Sequence, residues 1–405
     1  MTALTTHVQP GATIAILGGG SMGRLTTMAA KALGYRVHVL EGDPSCTSEG
    51  LADRSIVGRL DDLRAVAAVV EDCAVVTTSV EHVPPMSLEA AAVFAPVRPG
   101  IDAVAIAQER ERERRWLEEH GVPVGPWRAA DTRDDLLDAV REYGGPCYVK
   151  PRVRREGDLG PVLVSSTGEV GATWISLRAR PSVVEPVLPV ALELSVLVAR
   201  SPEGDVRSYP PAVSFREHTR LLCAVVPGPV PNPVARQASA LATYVATKLE
   251  IVGLLAVEMF VLRDGQLVVN ELVPCAHATY HAADGACATG QFEQLVRAIT
   301  GLPLGATDVV RPGASVTVPG ELWHGGKTPC FDDALRVPGV RLHLYAARDP
   351  RVGRAMGHLS ASGATPDEAI GAALLAAERL LPDRTRRAIV RHRRVIRRRR
   401  LQAGA

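Results

Sequence analysis

Aromatic residues are scarce in this 405-residue chain, at 4%, so its core has to be built from aliphatic side chains. Cysteine occurs seven times, with no C-x-x-C pair and no regular spacing. That excludes a disulfide framework and a zinc-ribbon site and points to a reducing compartment. No apolar run is long enough to span a bilayer, and the opening MTALTTHVQPG has no apolar signal region. A soluble cytoplasmic protein with no membrane partner is the expectation. Acidic residues are missing beyond Asp383, where RTRRAIVRHRRVIRRRR, Arg384 to Arg400, holds ten arginines. Without them 36 basic residues stand against 44 acidic ones, and the net charge of +2 becomes −8. The body therefore shows no nucleic-acid surface, and no nucleic-acid partner is expected. The tail, 384–405, reads as a solvated, disordered extension.

What is present is 46% hydrophobic, ample for two or three domains. Apolar runs alternate with helical stretches from residue 13 to about 99, with strands expected over 13–17, 36–40, 55–57, 74–78 and 97–98. Helices fit 22–33, 62–71 and 86–95. This alternation predicts a parallel, doubly wound α/β sheet. Its first turn, IAILGGGSMGR, holds Gly18-x-Gly20-x-x-Gly23, and the next run ends at Glu41. Such a turn offers a phosphate the free amides and partial positive charge of a helix N-terminus. The spacing of Glu41 also fits a dinucleotide fingerprint. A charged helix over 105–119 follows, then helix 132–143, two strands around PRVRREGDLG, and a strand over 182–184. Further on come a hairpin with PEGD at its tip, helix 233–249, strands 253–262 and 266–272 joined by RDG, and helix 290–300. A small β lobe and helix 365–380 close the chain.

The residues most suggestive of chemistry lie in LAVEMFVLRDGQLVVNEL. Glu258 and Glu271 are polar residues in apolar strands, on two arms of one hairpin, and counting from the turn allows both to face one side with Asn270 beside them. Two carboxylates and an amide suit Mg²⁺, a hard cation that shares its ligands with phosphates. Lys150 ends the apolar strand PCYVK, where a point charge can meet a phosphate. Glu185 ends another strand, as in a hinge that reads adenine, and Glu193 can accept from ribose hydroxyls. Each of these last three is weak alone, and a surface role remains open.

In this order the residues resemble the ATP-grasp superfamily and, more closely, the N5-carboxyaminoimidazole ribonucleotide synthetase family, from about Thr13 to Leu380. LGGGSMGR is similar to L-G-G-G-Q-L-G-R, and PVRPGIDAVAIAQER, NELVP, GQFEQLVRAITGLPLG and GRAMGHLSASG also match. The resemblance implies an ATP-grasp fold with an N-terminal Rossmann-like domain (1–104), an ATP-grasp small subdomain (105–187), a large subdomain with the metal carboxylates (188–310) and a C-terminal β lobe (311–383). It implies that the glycine turn serves a phosphorylated substrate and not NAD. ATP would be held by Arg110, Lys150, Glu185, Glu193 and Asn270, and Mg²⁺ by Glu258 and Glu271. Gly19, Gly20, Ser21, Met22, Glu81 and Arg354 would bind substrate, and Lys150, His277, His281 and Arg354 would act in catalysis, His281 as proton acceptor for the attacking amine. The implied activity is an ADP-forming ligase, a homodimer, that joins a carboxylate or bicarbonate to an amine through an acyl phosphate.

The departures fall mainly on two loops. After the lysine the family pattern reads T-R-R-G-G-Y-D-G-K-G, where this chain has PRVRREGDLG, with Glu156, Gly157 and Leu159 in place of Tyr, Asp and Lys. P-R-P-H-N-S-G-H becomes PCAHATYH, with Cys275 for Arg and Ala278 for Asn. F-E-N-V-P becomes VEHVP, and the lysine expected at 347 is Ala347. The expectation that follows is a ligase with a different acceptor, serving specialised metabolism. The alternatives are a genuine N5-carboxyaminoimidazole ribonucleotide synthetase, a non-catalytic nucleotide-binding homologue and, last, an NAD oxidoreductase.

Overall fold

Residues 7–380 are described by the computed structural model, apart from 45, 156, 157, 159, 218, 219 and 327. The arginine-rich tail and the substitutions at 156, 157 and 159 therefore lie outside the described residues. The first apolar run forms β1 (Thr13–Leu17) and turns through the glycines into α1 (Ser21–Ala32). β2 (Arg36–Glu41), β3 (Arg54–Val57), α2 (Leu63–Val70), β4 (Val75–Thr78) and α3 (Pro85–Ala92) complete a parallel sheet ordered β3-β2-β1-β4. β1 is buried at every position, which is why it reads as an unbroken apolar run. Two glycines are required at its end. Gly18 sits at φ +106°, and a Cβ on Gly23 would lie 2.1 Å from the Gly18 carbonyl oxygen. The strand expected over 97–98 makes only an isolated bridge, Val97 to Val76.

The charged segment expected as one helix is two, α4 (Ile101–Gln108) and α5 (Arg110–Glu119). Glu109 between them is extended, at φ −109° and ψ 106°. Its carboxylate accepts from the Glu111 and Arg112 amides, and its backbone bridges Val153. A side-chain cap of this kind stabilises a helix by about 1 kcal/mol, and the bridge ties the start of α5 to the turn after Lys150. β5 (Arg128–Ala130), α6 (Arg133–Tyr143), β6 (Cys147–Pro151), β7 (Val162–Val164), α7 (Val170–Ser176) and β8 (Ser182–Pro186) then build an antiparallel sheet ordered β5-β8-β6-β7 over its own small core.

The remainder comprises β9 (Val190–Arg200), β10 (Val206–Ser208), β11 (Ala212–Glu217), β12 (Arg220–Val226), α8 (Asn232–Lys248), β13 (Gly253–Leu262), β14 (Leu267–Val273), α9 (Ala283–Ala286) and α10 (Gln291–Thr300). β15 (Gly313–Pro319), α11 (Phe331–Leu335), β16 (Val340–Leu344), β17 (Ala355–Ser362) and α12 (Pro366–Arg379) end it. Its strands form one antiparallel sheet, β14-β13-β9-β11-β12-β15-β17-β16, with β10 on β9. β12 pairs with β15 from Cys223 opposite Val316 to Val226 opposite Gly313, so the sheet crosses residue 311 without a break. One face is covered by α8 and α12. The other, at Leu197, Ala199, Leu254 and Ala256, shares a core with Ile14, Ile16, Val37 and Val39 of the N-terminal sheet.

Candidate active site

Strand register brings the two metal candidates together. Glu258 and Glu271 are Cα partners across β13 and β14. Regular pairing from the turn would set Asn270 against Glu258, since Met259 already pairs with Val269. A bulge makes Asn270 an extra residue and moves Glu271 into the opposing place, a device that re-aims side chains at binding sites. Both glutamates and Asn270 line a cavity of about 790 Å³, together with Arg110, Lys150, Glu185 and Glu193. The residues expected to hold nucleotide and metal thus meet in one cavity.

Their charges are interlocked. Lys150, at the end of β6 and 8% exposed, lies 2.6 Å from Glu185 on β8 and donates to Asn270 Oδ1 at 3.3 Å. Arg114 on α5 reaches Glu185 at 2.8 Å, Glu113 at 3.0 Å and the Asn270 carbonyl. Burial works to raise the Glu185 carboxyl, but Lys150 and Arg114 outweigh it and hold it at about 2. The two metal candidates part company. Burial pushes Glu258 up to about 7, against the pull of Arg216 at 2.7 Å and with the push of Glu271. At Glu271 burial is overcome by Arg154, Arg110 and Lys150, which keep its carboxyl well below the usual range. Neighbouring carboxylates separate in this way because both cannot ionise equally.

Among the described residues no group of three or more His, Cys, Asp and Glu side chains is arranged to hold a metal by itself. Two opposed carboxylates and an amide oxygen on a cavity wall fit a different arrangement, that of Mg²⁺ completed by phosphate oxygens.

A second group of candidates lies outside this cavity. Gly19 and Gly20 form the turn into α1, and Ser21 and Met22 begin the helix. The Gly19 amide donates to Glu41 Oε2 at 2.8 Å, and the Gly42 amide to Glu41 Oε1 at 2.7 Å. The acid of the apparent dinucleotide fingerprint is therefore engaged by backbone. The Ser48 amide and the Thr47 and Ser48 hydroxyls all donate to the Gly19 carbonyl, fixing the turn. Arg354, just before β17, stands 3.6 Å from Asp43 beside this turn, so the C-terminal lobe reaches it. Glu81 connects the two areas through Arg154, which lies 3.1 Å from both Glu81 and Glu271.

The two histidines are not equivalent. His277 sits 3.3 Å from Glu258, and burial, reinforced by Arg216, drives its imidazole down to about 4, so it is neutral. His281 is not brought to either group. It stacks on His358 with ring centroids 4.1 Å apart, and the Tyr345 hydroxyl joins both rings, 3.1 Å from His281 Nε2 and 2.8 Å from His358 Nδ1. The sequence places it in the same motif as His277, four residues on, but the chain turns it into the packing between the loop after β14 and the C-terminal lobe.

Arg216, Glu113 and Arg114 were not singled out by the sequence. Arg216 had a signal: in AVSFR the side chains of Ser214 and Arg216 alternate with buried Val213 and Phe215, and both line the cavity. Glu113 is fully buried and accepts from the Leu272 amide at 2.6 Å. It looked solvated within RERERR, yet buried Leu117 one turn later marked its face.

Three family models match in chain order: the ribonucleotide synthetase preATP-grasp domain over residues 11–108, the ATP-grasp domain over 115–292 and the phosphoribosylaminoimidazole carboxylase C-terminal domain over 319–371. The N5-carboxyaminoimidazole ribonucleotide synthase of Brucella melitensis is 33% identical over 363 residues, covering 88% of this chain and 97% of that protein. The chain belongs to the N5-carboxyaminoimidazole ribonucleotide synthetase family. It is an ATP-dependent, ADP-forming ligase of the ATP-grasp type. Solved synthetases agree in fold. An ADP complex superposes with a TM-score of 0.86 at 32% identity, over 92% of this chain and 98% of that one. The Aspergillus clavatus synthase in complex with ADP and 5-aminoimidazole ribonucleotide gives 0.83 at 25% identity, over 91% and 98%. The ATP-grasp fold, N-terminal domain and C-terminal lobe implied by the sequence are those of this family. No helix among the described residues is long and apolar enough to cross a membrane.

Proposed function

We propose that this chain uses ATP and Mg²⁺ to join bicarbonate to the amine of 5-aminoimidazole ribonucleotide. The γ-phosphoryl group passes to a bicarbonate oxygen and ADP leaves. The amine then attacks the carbonyl carbon of the mixed anhydride, phosphate departs, and the amine gives up a proton. The observation that carries the ATP half is the Glu258–Glu271 pair, opposed across one hairpin in the cavity that holds Lys150. Lys150, aimed by Glu185, would meet ATP phosphates, with Arg110 beside it, while Glu193 would take the ribose. Glu258, Glu271 and Asn270 would hold Mg²⁺, which neutralises charge on the transferring phosphoryl group. His277 would steady Glu258, and Gly19, Gly20, Ser21, Met22 and Arg354 would take the phosphate of the ribonucleotide. Small-molecule substrates, a homodimer and a cytoplasmic location go with this reading.

The acceptor rests on the names of relatives such as the Brucella melitensis synthase, of which this chain covers 97%. Those names favour the genuine synthetase over the altered acceptor that the two changed loops suggested. A different acceptor stands second, and Arg154 favours it, because it engages Glu81, the residue the resemblance assigns to substrate. The deciding experiment supplies ATP, labelled bicarbonate and 5-aminoimidazole ribonucleotide and follows the N5-carboxy product, alongside rescue of a purine auxotroph lacking the synthetase. Both are expected to be positive. ADP release without labelled product would move the second reading to first place, and tight NAD(H) binding without ATP binding would remove both.

A further inference from the structure

Two differences from the family pattern are complementary. In T-R-R-G-G-Y-D-G-K-G the fourth position is glycine, where this chain has Arg154, and in P-R-P-H-N-S-G-H the second is arginine, where it has Cys275. One guanidinium is absent from the loop after β14, and one is gained on the turn after β6. The structure brings the two positions to one place. Arg154 Nη1 donates to the Leu272 carbonyl at 3.3 Å, three residues before Cys275. Cys275 is buried, and the charges acting on its thiol are those of Glu81 and Arg154.

The guanidinium of Arg154 is anchored and incompletely used. It lies 3.1 Å from Glu81 and Glu271 and 3.6 Å from Glu113, and is 9% exposed. Its Nε is buried with no hydrogen-bond partner among the described residues. A charged donor cut off from water and left without an acceptor is unfavourable, so the position calls for an acceptor that the described residues do not provide. An oxyanion at the edge of Glu271, between the nucleotide cavity and Glu81, would meet that donor, and guanidinium is the side chain best shaped to hold one.

We propose that Arg154 binds the small acid that ATP activates, bicarbonate or another carboxylate, in place of the arginine absent at position 275. This rests on the reading that the chain activates such an acid. The test is calorimetric titration of the full chain, loaded with Mg·ADP, with phosphonoformate, a stable mimic of phosphorylated bicarbonate. Arg154→Gly should weaken its binding by about tenfold or more, and Arg154→Lys by several-fold, because an ammonium lacks the planar fork. The double variant Arg154→Gly, Cys275→Arg should recover most of the loss; every titration is run at saturating Mg·ADP, because Arg154 also faces the metal candidate Glu271. Melting curves report folding, and if the glycine variant fails to fold, the lysine variant decides. Failure of wild type to bind phosphonoformate, equal binding by a folded position-154 variant, or a double variant no tighter than the folded single one overturns the proposal. The underlying reading is judged separately by bicarbonate-dependent ADP release. Binding that depends on Arg154 without such release keeps the anion site and removes bicarbonate as the acid.

Discussion

The nucleotide side and the acceptor side of this site are built on different principles. On the nucleotide side Lys150, Glu185, Glu193, Glu258 and Glu271 sit on paired strands, in β6, β8, β9, β13 and β14. Register there is fixed by buried faces, since a slip of one residue would turn every side chain over. The acceptor side is assembled from segments between elements: the turn after β1, Glu81 after β4, Arg154 after β6, the loop after β14 and Arg354 before β17. No ladder dictates those residues, so they can be exchanged without disturbing the fold. Among the described residues, Arg154, Cys275, Ala278, His82 and Ala347 depart from the family pattern on that side.

The largest effect is expected where the comparison is sharpest. Glu271→Gln should lower ADP release by about 10³-fold, since it removes charge facing the transferring phosphoryl group. Glu258→Gln should cost less, about 10²-fold, because the Glu258 carboxyl, pushed up to about 7, is already half protonated near neutrality. Wild-type rates in both, with unchanged circular dichroism, would end the metal assignment. Next come the variants that separate the two sides. Lys150→Met should weaken ATP binding by about ten- to a hundredfold and leave the KM for 5-aminoimidazole ribonucleotide alone, whereas Arg354→Ala should raise that KM about tenfold at constant ATP affinity. If each variant moves both constants, the site does not divide in this way.

The pH dependences are smaller and of the same sign for different reasons. Glu258 must lose its proton to hold a cation, so Mg²⁺ affinity should rise by up to about tenfold per pH unit below 7 and level off above it. Glu258→Gln should flatten that profile. Burial lowers the imidazoles of His277 and His281 to about 4 and about 3, below their value of about 6.5 in the unfolded chain. The unfolded state then binds more protons, so stability is full above pH 6.5 and falls as the pH drops toward 4, by on the order of 1 kcal/mol per unit for each. Denaturant titrations at several pH values check this, and His281→Phe should remove part of the slope. The smallest expected effect is from deleting residues 384–405, which should leave ADP release unchanged within error.

The strand side was legible and the loop side was not. Alternating apolar runs located β1, β2, β4, β13 and β14 almost to the residue, because each buries at least one face. Glu258 and Glu271 stood out as charges in apolar strands, although their opposition depends on a bulge at Asn270 that no count from the turn contains. The break at Glu109 was hidden because RERERR favours helix locally, and only a tertiary bridge to Val153 interrupts it. His281 reads in sequence as a twin of His277; its burial among His358 and Tyr345 is decided by residues more than sixty positions away.

The ladder between β12 and β15 governs how this chain could be taken apart. Cys223, Ala224, Val225 and Val226 are wholly buried and hydrogen-bonded to residues beyond the boundary at 311. Severing the chain there would leave each fragment with a bare, flat, hydrophobic strand edge, a template for pairing with any other copy. The carboxyl-terminal lobe is therefore no interchangeable module: in any recombinant joined at that point, β12 and β15 from two sources would have to match across one buried ladder for the sheet to form.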